Sequence, residues 1–377
     1  MQKCLKFASI FDKTAKFMFF NMKQFQYLLL AAVAFLASVS VSAQRVQVVD
    51  KQGNGIPMAY VLTEDGTYIG STDLDGVLAD VKGAKRVSVS HVAYRPQMVS
   101  IESLTNGRIT LDDFGYDIPE VVITPKPYVY VETYYRVYVY RNDSLGYFHC
   151  GIMPNMYDPV KKKHDHGSFN NSYVEYYSSM GVAINWGSRA MGLHAGEVRI
   201  ASAPKPDDLK SRYYVSTDAS NPDHVIYSNA EGRVGQLLHV GDEWRTSLNA
   251  GKMQMYANRV KGQSKVLKKR EEIGYDYQYT QIGNYQADPT DADYTDFIMS
   301  VDHWEYTDKK GHAKFIIETY ATERGYITKD EWKAKKKDLK ALYKKAYNLS
   351  DMEPYEKAHN IPPLPQAVRQ AIAKLKH

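Results

Sequence analysis

An alternating row of tyrosines is the first place in this sequence where side chains could bind a ligand. From residue 128 to 141, tyrosines and charged residues occupy every second position, a period typical of a β-strand. Phenol rings combine flat apolar area with a polar tip, so this face could stack on a sugar, a peptide or a partner. The alternative is that the row packs under another layer of the same domain. The candidate binding residues are Tyr128, Tyr130, Tyr134, Arg136, Tyr138 and Tyr140.

His164 and His166 are the best local candidates for metal chemistry. Two histidines two residues apart share one face of a strand and could both bind a metal ion. A catalytic zinc needs a third protein ligand and an open position, which only tertiary folding could supply. The segment 161–167 is charged and turn-like, and its three lysines repel a cation, which favours a solvated loop.

No other local motif predicts catalysis. The sequence contains no Gly-x-Ser-x-Gly elbow, His-Glu-x-x-His helix, phosphate-binding loop or dinucleotide fingerprint. Cys150 is the only thiol after residue 43, and the neighbouring His149 would point to the opposite face of a strand. We therefore expect Cys150 to be buried and unreactive, and we predict no catalytic residue and no cofactor.

Asp73 and Asp75 resemble the start of a calcium-binding loop because alternate acids precede Gly76. That loop needs a further oxygen ligand and a distant acid, but Val77 and Ala84 occupy those positions. We expect a hairpin turn instead, in which Gly76 has a positive φ.

The first 43 residues are predicted to be a secretory signal peptide. The apolar run 27–41 follows a positive flank and ends in small residues, which indicates cleavage between Ala43 and Gln44. The run is too short to span a bilayer comfortably. Residues 1–21 are long for the charged start of a signal, which indicates an over-extended gene start.

The composition is that of a folded globular protein. Of 377 residues, 44% are hydrophobic and 24% are charged, which excludes disordered, collagen-like and polytopic membrane classes. The formal net charge of +5 falls to +1 without the signal, which holds five lysines and one aspartate. A near-neutral surface gives no electrostatic reason to expect nucleic acid as a partner.

Residues 44–115 contain seven short β-type runs separated by turns. Their spacing is close to the rhythm of about 8–12 residues that is typical of a β-sandwich. The predicted strands are 45–50, 58–63, 67–72, 77–81, 86–92, 97–101 and 108–112.

This region resembles the carboxypeptidase regulatory-like domain found at the start of many exported proteins of Gram-negative bacteria. The resemblance covers residues 44–115 only, and Ala93 stands where the family usually has glycine. It implies a transthyretin-like β-sandwich that is an accessory module without a zinc site or catalytic residues. It also implies a location in the periplasm or at the outer membrane. The matching segments are Gly55-Ile56-Pro57, Ala59-Tyr60-Val61, Thr72-Asp73-Leu74-Asp75-Gly76 and Val87-Ser88-Val89-Ser90 leading to Tyr94.

Three further segments complete the predicted organisation. The proline-rich segment 116–127 predicts a stiff linker. Residues 128–327 predict one large antiparallel β domain, either a curved sheet or an open barrel, and resemble uncharacterised companion domains of such modules. Residues 328–377 predict helices: Thr328 and Glu331 form a capping box, and a short final helix covers 366–376.

Together these patterns predict a mainly β, exported protein with a non-catalytic role. It would bind an envelope protein or a glycan through β-sheet surfaces, and its lysine-rich first helix could contact the outer membrane peripherally. One alternative is an envelope hydrolase that uses a metal at His164 and His166. The other is a carbohydrate-binding protein that uses Tyr130, Tyr134 and Tyr138. The ligand and the oligomeric state stay open.

Overall fold

Most of the chain forms β-strands, as the alternating sequence patterns predict. The predicted signal peptide, residues 1–43, lies outside the residues that the structure describes, and so do parts of 128–327. The structure is a computed structural model, and it describes residues 45–122, 124–161, 163–166, 174–178, 213–230, 232–249, 277–285, 294–308, 311–342 and 347–376.

Residues 45–111, called here the N-terminal module, contain seven strands within the segments predicted, apart from an earlier start of the sixth. The strands form a three-stranded sheet in the order β4-β1-β7 and a four-stranded sheet in the order β3-β2-β5-β6. The strands are β1 (Val46–Val49), β2 (Tyr60–Thr63), β3 (Tyr68–Ser71), β4 (Val77–Leu78), β5 (Arg86–His91), β6 (Tyr94–Ser100) and β7 (Arg108–Thr110).

The remaining strands of the described residues form one twelve-stranded sheet, called here the large sheet. Its path runs β11-β10-β9-β19-β18-β17-β16-β15-β14-β13, with β12 paired to β10 and β8 paired to β19. All of these pairings are antiparallel except that of β8 with β19, so the sheet is predominantly antiparallel. The strands are β8 (Val121–Val122), β9 (Tyr128–Arg141), β10 (Ser144–Asp158), β11 (Lys163–His166), β12 (Val174–Tyr177), β13 (Tyr214–Asp218), β14 (Asn221–Asn229), β15 (Gly232–Val240), β16 (Glu243–Leu248), β17 (Tyr277–Tyr285), β18 (Phe297–Asp308) and β19 (Gly311–Ile327).

The centre of the large sheet is built from its longest strands. β9 and β10 form a hairpin through Asn142 and Asp143, whose φ angles of 47° and 65° match the positive φ of a type I′ turn. β19 pairs with the other edge of β9 over almost its whole length. The strand with the tyrosine row therefore has neighbours on both sides.

In the described part of the chain, three helices follow β19. They are α1 (Lys329–Leu342), α2 (Leu349–Ala358) and α3 (Gln366–Ile372). The predicted capping box is present, because the Thr328 amide donates to the Glu331 carboxylate at 2.8 Å and the Glu331 amide donates to the Thr328 hydroxyl at 3.3 Å. α3 ends earlier than predicted, and α2 was not predicted. Among the described helices, none is long and apolar enough to cross a membrane.

The N-terminal module, the large sheet and the helices share a hydrophobic core. One cluster of buried side chains includes Val61 of the module, Ile316 of the large sheet and Val368 of α3. Residues 45–377 accordingly form one compact unit. The proline-rich linker lies along β19, where Arg324 donates to the Pro119 carbonyl at 2.9 Å.

Candidate functional site

The tyrosine face of β9 is buried under other parts of the same chain. Five of its six candidate binding residues are no more than 2% exposed, and Tyr128 is half-buried. Trp332 of α1 lies edge-on to Tyr130 with ring centroids 6.3 Å apart, and Tyr355 of α2 lies 5.8 Å from Tyr134. The C-terminal helices therefore cover the first half of the row.

The N-terminal module covers the second half of the row. Tyr60 of β2 packs against Tyr138 with ring centroids 5.9 Å apart, and Tyr68 of β3 packs against Tyr140 at 5.4 Å. Of the two alternatives for this face, the structure shows packing under another layer of the chain. The row is an internal interface in this structure, so a binding site has to be sought elsewhere.

Arg136 lies at the centre of that interface with carboxylates from two elements. Its Nε donates a hydrogen bond to a carboxylate oxygen of Glu356 of α2 at 3.2 Å. Its Nη2 lies 2.8 Å from the same oxygen, but neither of the Nη2 hydrogens points at that oxygen. Its Nη1 lies 3.7 Å from Glu318 of β19. Four tyrosine hydroxyls donate to these two carboxylates, and they belong to Tyr60, Tyr134, Tyr138 and Tyr320. We call these seven residues the Arg136 cluster.

The electrostatics of the Arg136 cluster are those of a structural network. Burial raises the pKa of Glu318, against the opposing effects of Arg136 and the tyrosine hydroxyls. Burial also raises the pKa values of Tyr134 and Tyr138, so these phenols stay protonated and act as donors. Because the cluster is enclosed, it joins module, sheet and helix rather than meeting a ligand.

Cys150 is fully buried, as expected. Burial raises the pKa of its thiol to about 12, which leaves almost no thiolate at neutral pH. The thiol is therefore a poor nucleophile.

Residues 163–166 form strand β11 paired with β10, so the favoured prediction of a solvated loop is wrong here; His164 and His166 lie two residues apart along this strand. The His164 ring packs 5.0 Å from Tyr157 and contacts the Tyr294 hydroxyl. Asp165 instead accepts hydrogen bonds from Trp332 Nε1 at 2.7 Å and from Lys336 at 2.9 Å. Within the described ranges, no three His, Cys, Asp or Glu side chains come together as a metal site.

A cleft between the N-terminal module and the large sheet is the best candidate for a binding site. Its volume is about 330 Å³, within the lower part of the roughly 300–1,000 Å³ range of small-molecule sites. The turn between β3 and β4 forms one wall, and side chains of β15 and β18 form the other. The lining residues are Met58, Ser71, Thr72, Asp73, Leu74, Asp75, Arg233, Asn249, His303 and Glu305.

The module wall of the cleft is the turn predicted from Asp73, Asp75 and Gly76. The Asp73 carboxylate accepts the backbone N–H groups of Asp75 and Val77, both at 2.9 Å. Gly76 has a φ of 73°, as expected for this turn. Asp75 pairs across the cleft with Arg233 of β15, which holds the two walls together.

Behind the sheet wall lies a cluster of titratable side chains on β18 and β19. Glu305 and Lys314 stand opposite each other in the register and form an ion pair. His303 and His312 lie 3.5 and 3.4 Å from the Glu305 carboxylate. Lys314 also contacts the hydroxyl of Tyr68. This Lys314 cluster therefore connects the cleft wall to the N-terminal module.

Burial and charge shift the pKa values in the Lys314 cluster. Burial opposes ionisation of Glu305, but a hydrogen bond with His312 and the nearby His303 outweigh burial and lower its pKa. Burial lowers the pKa of His303 to about 4, so this ring is neutral at pH 7. Burial likewise lowers the pKa of Lys314.

Two of the side chains that line the cleft each hold a buried nitrogen atom without a hydrogen-bond partner. They are Nε of Arg233 and Nε2 of His303. Nδ1 of His303 lies 3.4 Å from the sulfur of Met58, and the His303 side chain is 5% exposed. Leaving a buried polar group unpaired costs about 1–3 kcal/mol. Both nitrogens are enclosed by protein atoms, and Nε2 of His303 lies 3.5 Å from Oε1 of Glu305.

Some of these residues carry a weak signal in the sequence, although they belong to no recognisable catalytic motif. Lys314 interrupts an apolar stretch of β19, and a charged residue inside a buried strand needs a partner. His303 and Glu305 alternate on one face of the paired strand. Arg233 and Asp75 carry no such pattern and meet only through tertiary folding.

No protein-family model matches the chain, and a search of curated proteins found no match.

Proposed function

We propose that this protein is a non-catalytic binding protein of the cell envelope of a Gram-negative bacterium, and that it binds a small ligand in the cleft between the N-terminal module and the large sheet. The observation that carries the proposal is the cleft itself, which has a volume of about 330 Å³ and polar side chains such as Arg233, His303 and Glu305 in its walls. Binding there replaces the tyrosine face as the contact surface, because that face is covered.

The N-terminal module is, in this proposal, a regulatory-like accessory domain with a transthyretin-like β-sandwich. Support comes from its seven strands in sheets of three and four, and from the resemblance of its turns to that family. In this role the module contributes a wall of the cleft rather than a reactive group. The turn from Ser71 to Asp75 supplies that wall.

Export to the periplasm or the outer membrane is part of the proposal. The support is the charged flank, apolar run and small-residue ending within residues 1–43. Expression of the full chain in a Gram-negative host, followed by N-terminal sequencing of the envelope fraction, is expected to give Gln44 as the first residue. Recovery of the uncleaved chain from the cytoplasm would refute export.

A blocked cleft tests the binding role. Leu74 lines the cleft, so Leu74→Trp is expected to fill it, whereas Ala79→Trp places the same bulk on an exposed position of the same module. The probes are neutral hexoses, hexosamines, hexuronates, amino acids and dicarboxylates, each measured by calorimetry. We expect at least one class to bind the wild type and Ala79→Trp, and to bind Leu74→Trp at least about tenfold more weakly, or 1.4 kcal/mol.

Two outcomes would refute the binding role. Either no probe class binds the wild type, or a probe binds Leu74→Trp as tightly as it binds Ala79→Trp. Circular dichroism and thermal unfolding of both variants establish that they are folded.

A further inference from the structure

We infer that the ligand of the cleft is a small organic cation whose ammonium group binds the carboxylate of Asp73. This inference rests on the proposed binding role of the cleft and names the class of ligand. Three observations carry it: the unpaired carboxylate of Asp73, the pairing of the other charges in the walls, and the apolar side chains that line the same cleft.

Asp73 is an exposed residue of the cleft wall, and its side chain is held in place by its own turn. Oδ1 of Asp73 accepts the backbone N–H groups of Asp75 and Val77, both at 2.9 Å. Among the described residues, Asp73 forms no ion pair and its Oδ2 accepts no hydrogen bond. The wall therefore presents a positioned negative charge that no described side chain neutralises.

The other carboxylates of the cleft walls are paired with cations. Asp75 pairs with Arg233 across the cleft, and Glu305 pairs with Lys314 behind the sheet wall. Once these pairs are set against each other, the charge of Asp73 remains. The lining of the cleft is therefore negative overall.

The two histidines next to Glu305 do not neutralise Asp73. His303 is uncharged at pH 7, because burial lowers its pKa to about 4. His312 does not belong to the cleft lining, and its hydrogen bond with Glu305 raises its pKa. Any positive charge on His312 therefore lies beside Glu305.

This distribution of charge favours a cationic ligand. A ligand that covers Asp73 removes water from the carboxylate, and a cation offsets that loss with its opposite charge and a charge-assisted hydrogen bond. An anion would be repelled by Asp73, and a neutral hydroxyl group would supply only the weaker kind of hydrogen bond.

The free oxygen of Asp73 favours an ammonium group over other cations. An ionised carboxylate has about four lone-pair positions, about two on each oxygen, and the two backbone N–H groups use those of Oδ1. A guanidinium binds best to two free oxygens in parallel, whereas an ammonium ion is a point charge that needs only one. A metal ion fits less well, because no three His, Cys, Asp or Glu side chains come together in the described part of the chain.

The rest of the cleft suits a small molecule with some apolar surface. Met58 and Leu74 belong to the lining and can contact the C–H groups of the ligand. The volume of about 330 Å³ lies near the lower end of the range for small-molecule sites. A monoamine of the size of a hexosamine or an amino acid meets both conditions.

Calorimetry with two matched series tests the charge of the ligand. The first series is glucosamine, glucose and glucuronate, and the second is lysine, norleucine and 2-aminoadipate. Each series runs from a cationic to a neutral to an anionic substituent on a similar body. In at least one series we expect the cationic member to bind the full mature chain, and the other two to bind at least about tenfold more weakly, a difference of 1.4 kcal/mol. Arginine and calcium ions are expected to bind at least about tenfold more weakly than the best ammonium probe.

A conservative substitution tests the role of Asp73. Asp73→Asn keeps an oxygen that can accept the backbone N–H groups of the turn and removes the charge, so binding of the ammonium probe should weaken at least about tenfold. Asp80→Asn is the matched control, because the exposed Asp80 carboxylate likewise accepts a backbone N–H group, that of Lys82 at 2.8 Å, but does not line the cleft. Both variants change the net charge equally, and the control is expected to bind like the wild type.

The outcomes separate this inference from the proposed function. A neutral or anionic probe that binds best, and that Leu74→Trp excludes, would overturn the inference and leave the binding role intact. Arginine or calcium as the tightest probe would overturn the assignment to an ammonium group. Equal binding of the ammonium probe by Asp73→Asn and Asp80→Asn would also overturn the inference. If no probe of any class binds the wild type, the inference and the proposed function both fail.

Discussion

Replacement of Glu356 by alanine tests whether the Arg136 cluster holds the C-terminal helices on the large sheet. Glu356 is 5% exposed, and it accepts hydrogen bonds from Arg136 at 3.2 Å and from Tyr134 at 2.5 Å. The variant would leave the Arg136 guanidinium, itself 1% exposed, with only the more distant Glu318 at 3.7 Å.

The expected cost follows from the burial of the pair. Removing one partner of a buried ion pair costs about 3–5 kcal/mol, because the other charge remains desolvated. A chain of this size loses at most about 2 °C in Tm per kcal/mol, so Tm should fall by several degrees, up to about 10 °C. The free energy of unfolding of native proteins is about 5–15 kcal/mol, which makes this a large fraction of the total.

A second glutamate of the same helix supplies the control. Glu353 of α2 pairs with Arg369 at 2.7 Å, but both side chains are at least 37% exposed. Exposed pairs contribute about 0–1 kcal/mol, so Glu353→Ala should lower Tm by about 2 °C or less. The assay is calorimetric unfolding of both variants at pH 7. Equal shifts for Glu356→Ala and Glu353→Ala would refute the assignment of Arg136 and Glu356 as a buried pair.

Three further changes probe other parts of the fold. Burial, with Arg245 nearby, lowers the pKa of His91 to about 3. Between pH 6.5 and 3 the unfolded chain therefore binds a proton at this residue that the folded chain does not, so the free energy of unfolding falls as the pH drops through about this range. His91→Asn should remove up to about 1.4 kcal/mol per pH unit of that slope in denaturant titrations, and an unchanged slope would contradict it. Thr328→Ala should cost about 1 kcal/mol and speed hydrogen exchange in the first turn of α1, while unchanged exchange would argue against the capping box. Gly76→Ala should destabilise the fold far more than Gly83→Ala, because a side chain at position 76 would approach the backbone closely, whereas Gly83 has the same positive φ but open space around it. Gly83→Ala should cost about 1–2 kcal/mol. Equal losses of the two variants in thermal unfolding would contradict the close approach at position 76.

The strands were predictable because their signal is local. The bounds of β9 match the predicted segment 128–141, and β1 to β5 and β7 lie within predicted segments. Alternation of side chains and glycine or asparagine turns act over a few residues, so one sequence is enough to place them. The start of α1 was predictable for the same reason, from Thr328 and Glu331.

The burial of the tyrosine row was not predictable, because the covering elements are far away in the chain. Period-two alternation shows that β9 has two different faces, but it does not show which of them is covered. Tyr60 and Trp332, which both contact the row, lie far apart in the sequence. α2, which brings Glu356 to Arg136, has ten residues and contains Pro354, and a proline inside a short segment argues against a helix.

The cleft was not predictable for a related reason: its walls come from three parts of the chain. Asp75 gave a turn signal, while Arg233 and Glu305 looked like ordinary charged residues of strands. The spacing of two residues in the sequence does not show whether they will contact each other where the N-terminal module packs against the large sheet. Only Lys314 could be recognised from the sequence, because it is a charged residue within an apolar strand.

The shape of the cleft depends on how the N-terminal module is held against the large sheet. Apolar contacts such as those between Tyr60 and Tyr138 favour contact but tolerate small displacements, because the hydrophobic effect is non-directional. Hydrogen bonds weaken steeply with poor geometry, so those from Tyr60 to Glu318 and between Lys314 and Tyr68 are satisfied only in a narrow range of orientations. Since both are buried and an unmet polar group there is costly, they fix the module at two points along β19. The cleft wall at Asp75 then stands at a defined distance from Arg233, and the shape of the cleft is a consequence of the buried polar contacts beneath it.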